Sequence, residues 1–308
     1  MARRSRGRPV DGILILDKPI GPTSNKALQA VKNLYFAAKA GHTGSLDPMA
    51  TGVLPICFGE ATKFSQYLLD ADKIYKSTFL LGITTASGDA EGEEIERKSA
   101  ALIDVDMIEK CLANFRGEIE QVPPMFSALK YNGTPLYKLA RQGKEVERAA
   151  RKVTIYQLDL CAFRPGELAE LDVYIHCSKG TYVRSLAEEI GKGLDCGAHV
   201  TKLRRIKAGP FDESISVNLE VLEILRAKGD CAQMDDLLMA PQLALGHLPE
   251  INLSEDSSFY MRQGQPVMVA GRLKEGLVRM STEEGEFIGL GEVLDDGRVM
   301  PRRLIKTH

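Results

Sequence analysis

Apolar and polar positions divide the chain into recognisable blocks. Gly12–Pro19 is a short apolar run closed by a Lys-Pro turn, which predicts a strand. Next, Ala27, Leu28, Val31, Leu34 and Tyr35 fall at helical spacing, with Thr23 or Ser24 in the capping position. A turn-rich loop, Gly41–Gly52, leads to a predicted strand over 54–58 and a helix over 61–69. Lys73–Thr85 is a long β-rich run, and the acidic segment from Ser87 to Glu94 reads as an exposed loop. Asp104 is expected to cap a helix through Asn114. Residues 151–163 and 168–177 alternate as a strand pair joined at Pro165 and Gly166. A helix is predicted from Thr181, ended by Gly191 and Gly193. The strand over 199–209 sets Val200, Lys202, Arg204 and Ile206 against Thr201, Leu203 and Arg205.

The grain changes after Pro249. A short helix (254–262) precedes several short runs punctuated by glycine, the pattern of a small, separate β-barrel-like domain. Between 130 and 147 the chain is polar and basic, with a turn at Gly133–Pro135, and reads as a projecting arm.

Length fits this division: 308 residues suit one large domain plus one small one. No apolar run reaches the roughly 18 residues of a membrane span. The first ten residues carry Arg3, Arg4, Arg6 and Arg8 but no apolar stretch follows, so no secretory signal is expected. Six scattered cysteines form no CxxC pair, the usage of buried thiols in a reducing cytoplasm. Cys196 with His199, and His176 with Cys177, are half-sites without second halves, so no metal is expected.

Net charge is −2, and local charge changes the picture more. Residues 130–152 hold seven basic and two acidic side chains, while 86–109 hold two basic and eight acidic ones. Lys202, Arg204, Arg205 and Lys207 cluster without an acid. One basic face is enough for phosphate contacts, because these act within a Debye length of about 8 Å. The alternative is an ordinary solvated surface.

Common cofactor signatures are missing. No glycine-rich loop is followed by Lys-Ser/Thr at P-loop spacing, and neither GxGxxG nor GxSxG occurs. What stands out is GHTGSLDP (Gly41–Pro48), which packs an imidazole, two hydroxyls and a carboxylate into one loop. On residues alone it is also accounted for by a tight turn in which Asp47 bonds its own backbone.

The combination is more specific. GHTGSLDPMATGVLP, KIYKSTFLLG, SKGTYVRSLAEEIG and HVTKLRRI, after an opening GILILDKPIGPTS, closely resemble the bacterial TruB family of tRNA pseudouridine(55) synthases. VPPMFSALKYNGTPLYKLARQG resembles that family's RNA-gripping thumb, and the last 55 or so residues, with FYMRQGQPV, its C-terminal PUA domain. The resemblance implies an α+β fold: a catalytic domain with a mixed, largely antiparallel sheet and a thumb-like insertion, plus a small β-barrel PUA domain. The implied parts are a basic tail (1–10), the catalytic domain (11–249, thumb about 125–152) and the PUA domain (250–308).

The implied activity converts a T-loop uridine of tRNA to pseudouridine by base flipping, without guide RNA, cofactor or metal. Asp47 maps to the family's essential aspartate, and Arg184 to the arginine that pairs with it and favours its charged form. Tyr75 maps to the tyrosine that stacks on the target base, with a hydroxyl placed to assist proton transfer at C5. Tyr182 and Leu203 map to the uracil pocket, and His42 to the position that enters the T-loop. Without the family, Tyr75 and Leu203 would read as core and His42 as a surface hydrogen bonder. Lys130, Lys138, Arg141, Lys144 and Arg148 are the expected phosphate contacts of the thumb. The partner is the T-arm of tRNA; no membrane and no obligate protein partner is expected, and the chain is expected to be a cytoplasmic monomer. Two alternatives stand beside this reading: a guide-dependent rRNA synthase subunit, and a tRNA-folding chaperone whose catalysis is dispensable.

Overall fold

The computed structural model describes residues 7–269, 271 and 274–306. Arg3, Arg4 and Arg6 of the basic tail lie outside the described residues.

Strand β1 (Gly12–Lys18) is buried almost throughout and pairs antiparallel with β3 (Thr51–Phe58). Between them lie α1 (Ser24–Leu34) and β2 (Ala40–His42). Thr23 caps α1 by accepting from the Lys26 amide, and Ala27, Leu28 and Val31 form the buried stripe. The single helix expected over 61–69 is instead a 3-10 turn (Gly59–Phe64) followed by α2 (Ser65–Asp70). There the hydroxyls of Thr62 and Ser65 donate to carbonyls three residues back and tighten the backbone.

The β-rich run forms β4 (Lys73–Leu81) and β5 (Ile83–Thr85), and β5 pairs with β6 (Glu94–Arg97). Helix α3 (Val105–Ala113) is capped by Asp104, and β7 (Gly117–Gln121) leads to the predicted arm. That arm is a small hairpin, β8 (Lys130–Tyr131) with β9 (Thr134–Pro135), and a short α4 (Leu136–Ala140). The strand pair is β10 (Arg151–Arg164) and β11 (Glu170–Cys177), followed by α5 (Val183–Gly193) and β12 (Ala198–Ala208). Short β13 (Phe211–Asp212), α6 (Leu219–Ala227) and α7 (Cys231–Asp235) complete this part.

One mixed nine-stranded sheet results, ordered β1-β3-β12-β4-β11-β10-β7, with β2 and β13 off that path. Only the β12–β3 contact is parallel. Helix α5 ends at Gly193, the second of the two glycines expected to stop it, and Gly191 lies in its last turn. A Cβ at Gly191 would lie 2.2 Å from the Ala198 amide, so this glycine lets α5 press onto β12.

The C-terminal part is a five-stranded sheet, ordered β14-β16-β17-β18-β15. It comprises β14 (Glu250–Leu253), β15 (Val267–Met268), β16 (Gly276–Thr282), β17 (Phe287–Val293) and β18 (Arg298–Leu304), with α8 (Glu255–Arg262) after β14. Strand β14 was not predicted; four residues carry little periodicity, and it forms through parallel pairing with the distant β16.

The main core fills the space under α1 and α5, and the second sheet has a cluster of its own. A further cluster joins the two sheets: Ile13, Ile15, Phe64, Phe211 and Leu245 pack with Phe287 and Leu290. Phe64 meets Phe287 edge-on, with ring centroids 5.6 Å apart. Among the described residues, no helix is long and apolar enough to cross a membrane.

Candidate active site

The loop carrying Asp47 is held from beneath by polar side chains of its neighbours. Lys18, fully buried at the end of β1, donates to the carbonyls of Pro19, Pro48 and Ala50 at 2.9, 3.3 and 2.7 Å. The Ser24 hydroxyl donates to the Leu46 carbonyl at 2.9 Å and accepts from the Leu46 amide at 2.7 Å. Of the two capping candidates, Thr23 therefore serves the helix and Ser24 serves the loop. Gly52 closes the loop with φ +98°, and a Cβ there would sit 2.2 Å from the Arg205 carbonyl. Only glycine lets β3 approach β12 at this point.

Arg184 projects from the first turn of α5 and is 4% exposed. Its Nε lies 2.9 Å from Asp47 Oδ2. Its Nη1 donates to the Ser87 carbonyl at 2.9 Å and lies 3.6 Å from Asp89 Oδ2, and its Nη2 donates to the Phe126 carbonyl at 2.8 Å. One guanidinium thus ties the Asp47 loop, the acidic segment and the start of the arm together. Asp47 itself keeps 36% side-chain exposure, so a ligand can reach it. Burial pushes its carboxyl above the ordinary range and Asp89 adds to this, while Arg184 and Lys18 pull the other way. The pair expected from sequence is present, but it offsets the desolvation only in part.

Tyr75, in β4, stands between Ile175 of β11 and Arg205 of β12 and is buried. The Tyr182 backbone is clamped by the buried Gln121 side chain, which accepts from its amide at 2.7 Å and donates to its carbonyl at 3.1 Å. Burial raises both phenols, and the Asp47 charge reaches both hydroxyls, so the three side chains share one locality. Leu203 packs in the same core as Tyr75 and Leu46. His42 ends β2 half-buried, with Nδ1 unpartnered, and burial together with Arg205 lowers its pKa, which keeps the ring neutral. Asp47, Arg184, Tyr75, Tyr182, Leu203 and His42 therefore lie on elements that converge around one loop.

The arm cations divide. Lys130, Lys138, Arg141 and Lys144 are exposed, and Arg141 lies over the Tyr137 ring at 5.6 Å. Arg148 turns inward: its Nε and Nη1 are buried without a partner, and its charge acts on Glu188.

Two expectations about charge are corrected. The acidic segment is not simply an exposed loop, because Ser87 and Asp89 are buried beneath Arg184. The cluster at 202–207 is not one basic face. Arg204 is paired with Asp17 and Glu213, and Arg205 is buried. Sequence reasoning missed Lys18, Asp89, Gln121 and Arg205 as parts of the site. For Lys18 there was a signal, a charged residue closing an otherwise apolar run. Elsewhere, a cavity of about 710 Å³ lined by Tyr67, Asp72, His176 and His247 lies apart from these residues. Among the described residues no cluster of three or more His, Cys, Asp or Glu is placed to hold a metal.

Comparison with known proteins gives a consistent result. Residues 32–183 match the N-terminal domain of TruB family pseudouridylate synthases. Residues 184–245 match the tRNA pseudouridylate synthase B C-terminal domain, and 249–305 the pseudouridine synthase II TruB C-terminal domain. The chain is 57% identical to tRNA pseudouridine synthase B of Ectopseudomonas mendocina, over 97% of each chain. It is 50% identical to that of Coxiella burnetii, over 98% of this chain and 96% of the relative. Among solved structures, an H/ACA ribonucleoprotein bound to a substrate RNA containing 2′-deoxyuridine includes a chain that superposes with TM-score 0.73 at 24% identity. That superposition covers 100% of this chain and 92% of the other, and it shows a shared fold.

Proposed function

The chain belongs to the TruB family of pseudouridylate synthases, and from that premise we infer how its site works. The protein isomerises the position-55 uridine of tRNA to pseudouridine without a guide RNA. The C1′–N1 bond breaks with its electron pair going to the uracil, C5 joins C1′, and the C5 hydrogen leaves as a proton. No electron or phosphoryl group changes hands, so these steps balance within the nucleotide and its proton acceptor.

The observation that carries the assignment of roles is the pair of a buried Arg184 and a reachable Asp47. Asp47 is the reacting carboxylate, and whether it adds to the sugar or base or removes a sugar proton, it must be ionised to act. Arg184 orients it and holds its charge. The target base leaves the stack and lies on Tyr75, whose hydroxyl serves proton transfer at C5. Tyr182 and Leu203 line the remaining walls of the uracil pocket. His42, a neutral ring at the entrance, fills the space the flipped base vacates. The exposed cations Lys130, Lys138, Arg141 and Lys144 give a sequence-blind grip on phosphates, with Arg148 acting at the root of the arm.

The family parts follow as a tail to residue 10, a catalytic domain over 11–249 and a PUA domain over 250–308 that touches another region of the tRNA. The enzyme works in the cytoplasm as a monomer. Identity of 50–57% over nearly whole chains to tRNA pseudouridine synthases supports the guide-free reading over a ribonucleoprotein subunit, which shares only the fold.

The test is tritium release from C5-labelled uridine in a T-arm stem-loop, wild type beside Asp47→Asn, without guide RNA, ATP or metal. Release by wild type alone is expected, with both proteins binding the RNA. Release by Asp47→Asn would remove that residue from its role. No release by wild type would return the guide-dependent and chaperone readings.

A further inference from the structure

Arg205 has the setting of a functional group and no role in the scheme above. Its side chain is 1% exposed, the largest of the fully buried ones. Arg204, its neighbour in β12, takes Asp17 and Glu213 as counterions. Arg205 takes none among the described residues and instead donates to two carbonyls, Nε to Val53 at 2.7 Å and Nη2 to Gly44 at 3.0 Å. A buried guanidinium without a carboxylate is costly, and hydrogen bonds to neutral carbonyls recover only part of that cost.

The two carbonyls it binds flank Asp47, one on each side of the catalytic loop. Across the sheet, Arg205 is the direct β12 partner of Tyr75 in β4, so the two side chains leave the sheet side by side on one face, and the guanidinium charge acts on the Tyr75 phenol. One planar fork therefore spans both stems of the Asp47 loop beside Tyr75, its neighbour across the sheet. Lys18 and Lys73, also buried and bonded to carbonyls, sit close enough to feel its charge, and burial holds both near pKa 8. Three buried cations, Lys18, Lys73 and Arg205, thus lie close together beneath the Asp47 loop.

We propose that Arg205 is a positioning residue for the isomerisation: it fixes the Tyr75 hydroxyl relative to the Asp47 loop, so that its contribution to the rate passes through Tyr75. The proposal rests on the isomerase reading and adds no covalent step to it. A purely structural arginine would support the loop whatever stood at position 75. A positioning arginine loses its effect once the hydroxyl is gone.

A double-mutant cycle separates the two. Single-turnover tritium release and stem-loop affinity are measured for wild type, Arg205→Lys, Tyr75→Phe and the double variant. Arg205→Lys keeps the charge but cannot span both carbonyls. It should slow turnover about 30-fold in the Tyr75 protein and no more than about 3-fold in the Tyr75→Phe protein, with affinity nearly unchanged. Equal losses in both backgrounds, or a loss of affinity at constant rate, would overturn the proposal. Arg205→Gln, which keeps donors to the carbonyls, is the second variant should the lysine fail to fold, and the same coupled loss is expected. A further readout needs no turnover: the ¹³Cζ resonance of labelled Tyr75 should move in Arg205→Lys, and an unmoved signal overturns the proposal. Absence of release by wild type, with Tyr75 still responding to Arg205, would count against the isomerase reading and leave this contact standing.

Discussion

Replacing Arg184 by Met removes more contacts than any other single change at this site. The side chain is 4% exposed, so its volume is filled without a clash while every polar partner is abandoned. Two carbonyls, Ser87 and Phe126, lose donors, and Asp47 and Asp89 are left facing one another. Breaking a buried ion pair from one side costs about 3–5 kcal/mol, and an unsatisfied buried carbonyl about 1 kcal/mol or more. Losing Arg184 also removes one of the groups that favour the charged form of Asp47, whose carboxyl pKa burial already raises. A net loss of about 4 kcal/mol is a large share of the roughly 5–15 kcal/mol that holds a protein folded. In urea unfolding followed by circular dichroism, the midpoint should fall by about 1 M. Single-turnover tritium release should drop at least about 100-fold at neutral pH, because the remaining carboxylate is misplaced and has lost a cation that favours its charge. A variant with an unchanged midpoint, or with a rate within about tenfold of wild type, would refute the reasoning.

In the proposed scheme Asp47 acts as its charged form, and its pKa is raised, so kcat/KM on the stem-loop should fall as pH drops through a limb lying above the ordinary carboxylate value of about 4; a limb at or below that value contradicts the electrostatics. Changing Lys130, Lys138, Arg141 and Lys144 together to Gln should flatten the slope of log affinity against log salt by about 3, whereas Arg148→Gln should leave it nearly unchanged because its Nε and Nη1 are buried and its Nη2 is paired with Glu145; equal effects would place Arg148 on the RNA. Gly52→Ala combines a φ of +98° with a clash against the Arg205 carbonyl and should cost about 3 kcal/mol or more in a melting experiment; a loss under about 1 kcal/mol would mean β3 and β12 can part freely.

The parts of this structure that were legible are those set by local rules. Helix α1 announces itself by spacing and by Thr23, α3 by Asp104, and the β10–β11 pair by alternation and a Pro-Gly turn. The Asp47 loop and Arg184 are legible through their motif, and the structure brings them to 2.9 Å. What stayed hidden depends on distant partners. Asp89 sits in a segment whose composition says solvent, yet it is drawn under α5 by an isolated bridge to Val200 and by Arg184. Arg204 and Arg205 are identical letters in sequence, and alternation predicted that they face opposite sides. It could not say that one side holds Asp17 and Glu213 while the other closes over Gly44 and Val53.

The order β3-β12-β4 has a consequence in time. On a ribosome adding roughly 5–20 residues per second, β3 and β4 are made early, and the strand that belongs between them follows about 120 residues later. For roughly 6–25 s the nascent chain carries β4 without its β12 partner and β3 with the edge at Thr51 and Gly52 unpaired, although β1 and β2 already hold the rest of β3. Strand β12 is the keystone: it arrives late, closes both edges, and brings Leu203 and Arg205 with it. On the proposed roles, a growing chain that already contains Asp47 and Tyr75 is inert, and the site is completed in the same event that closes these edges.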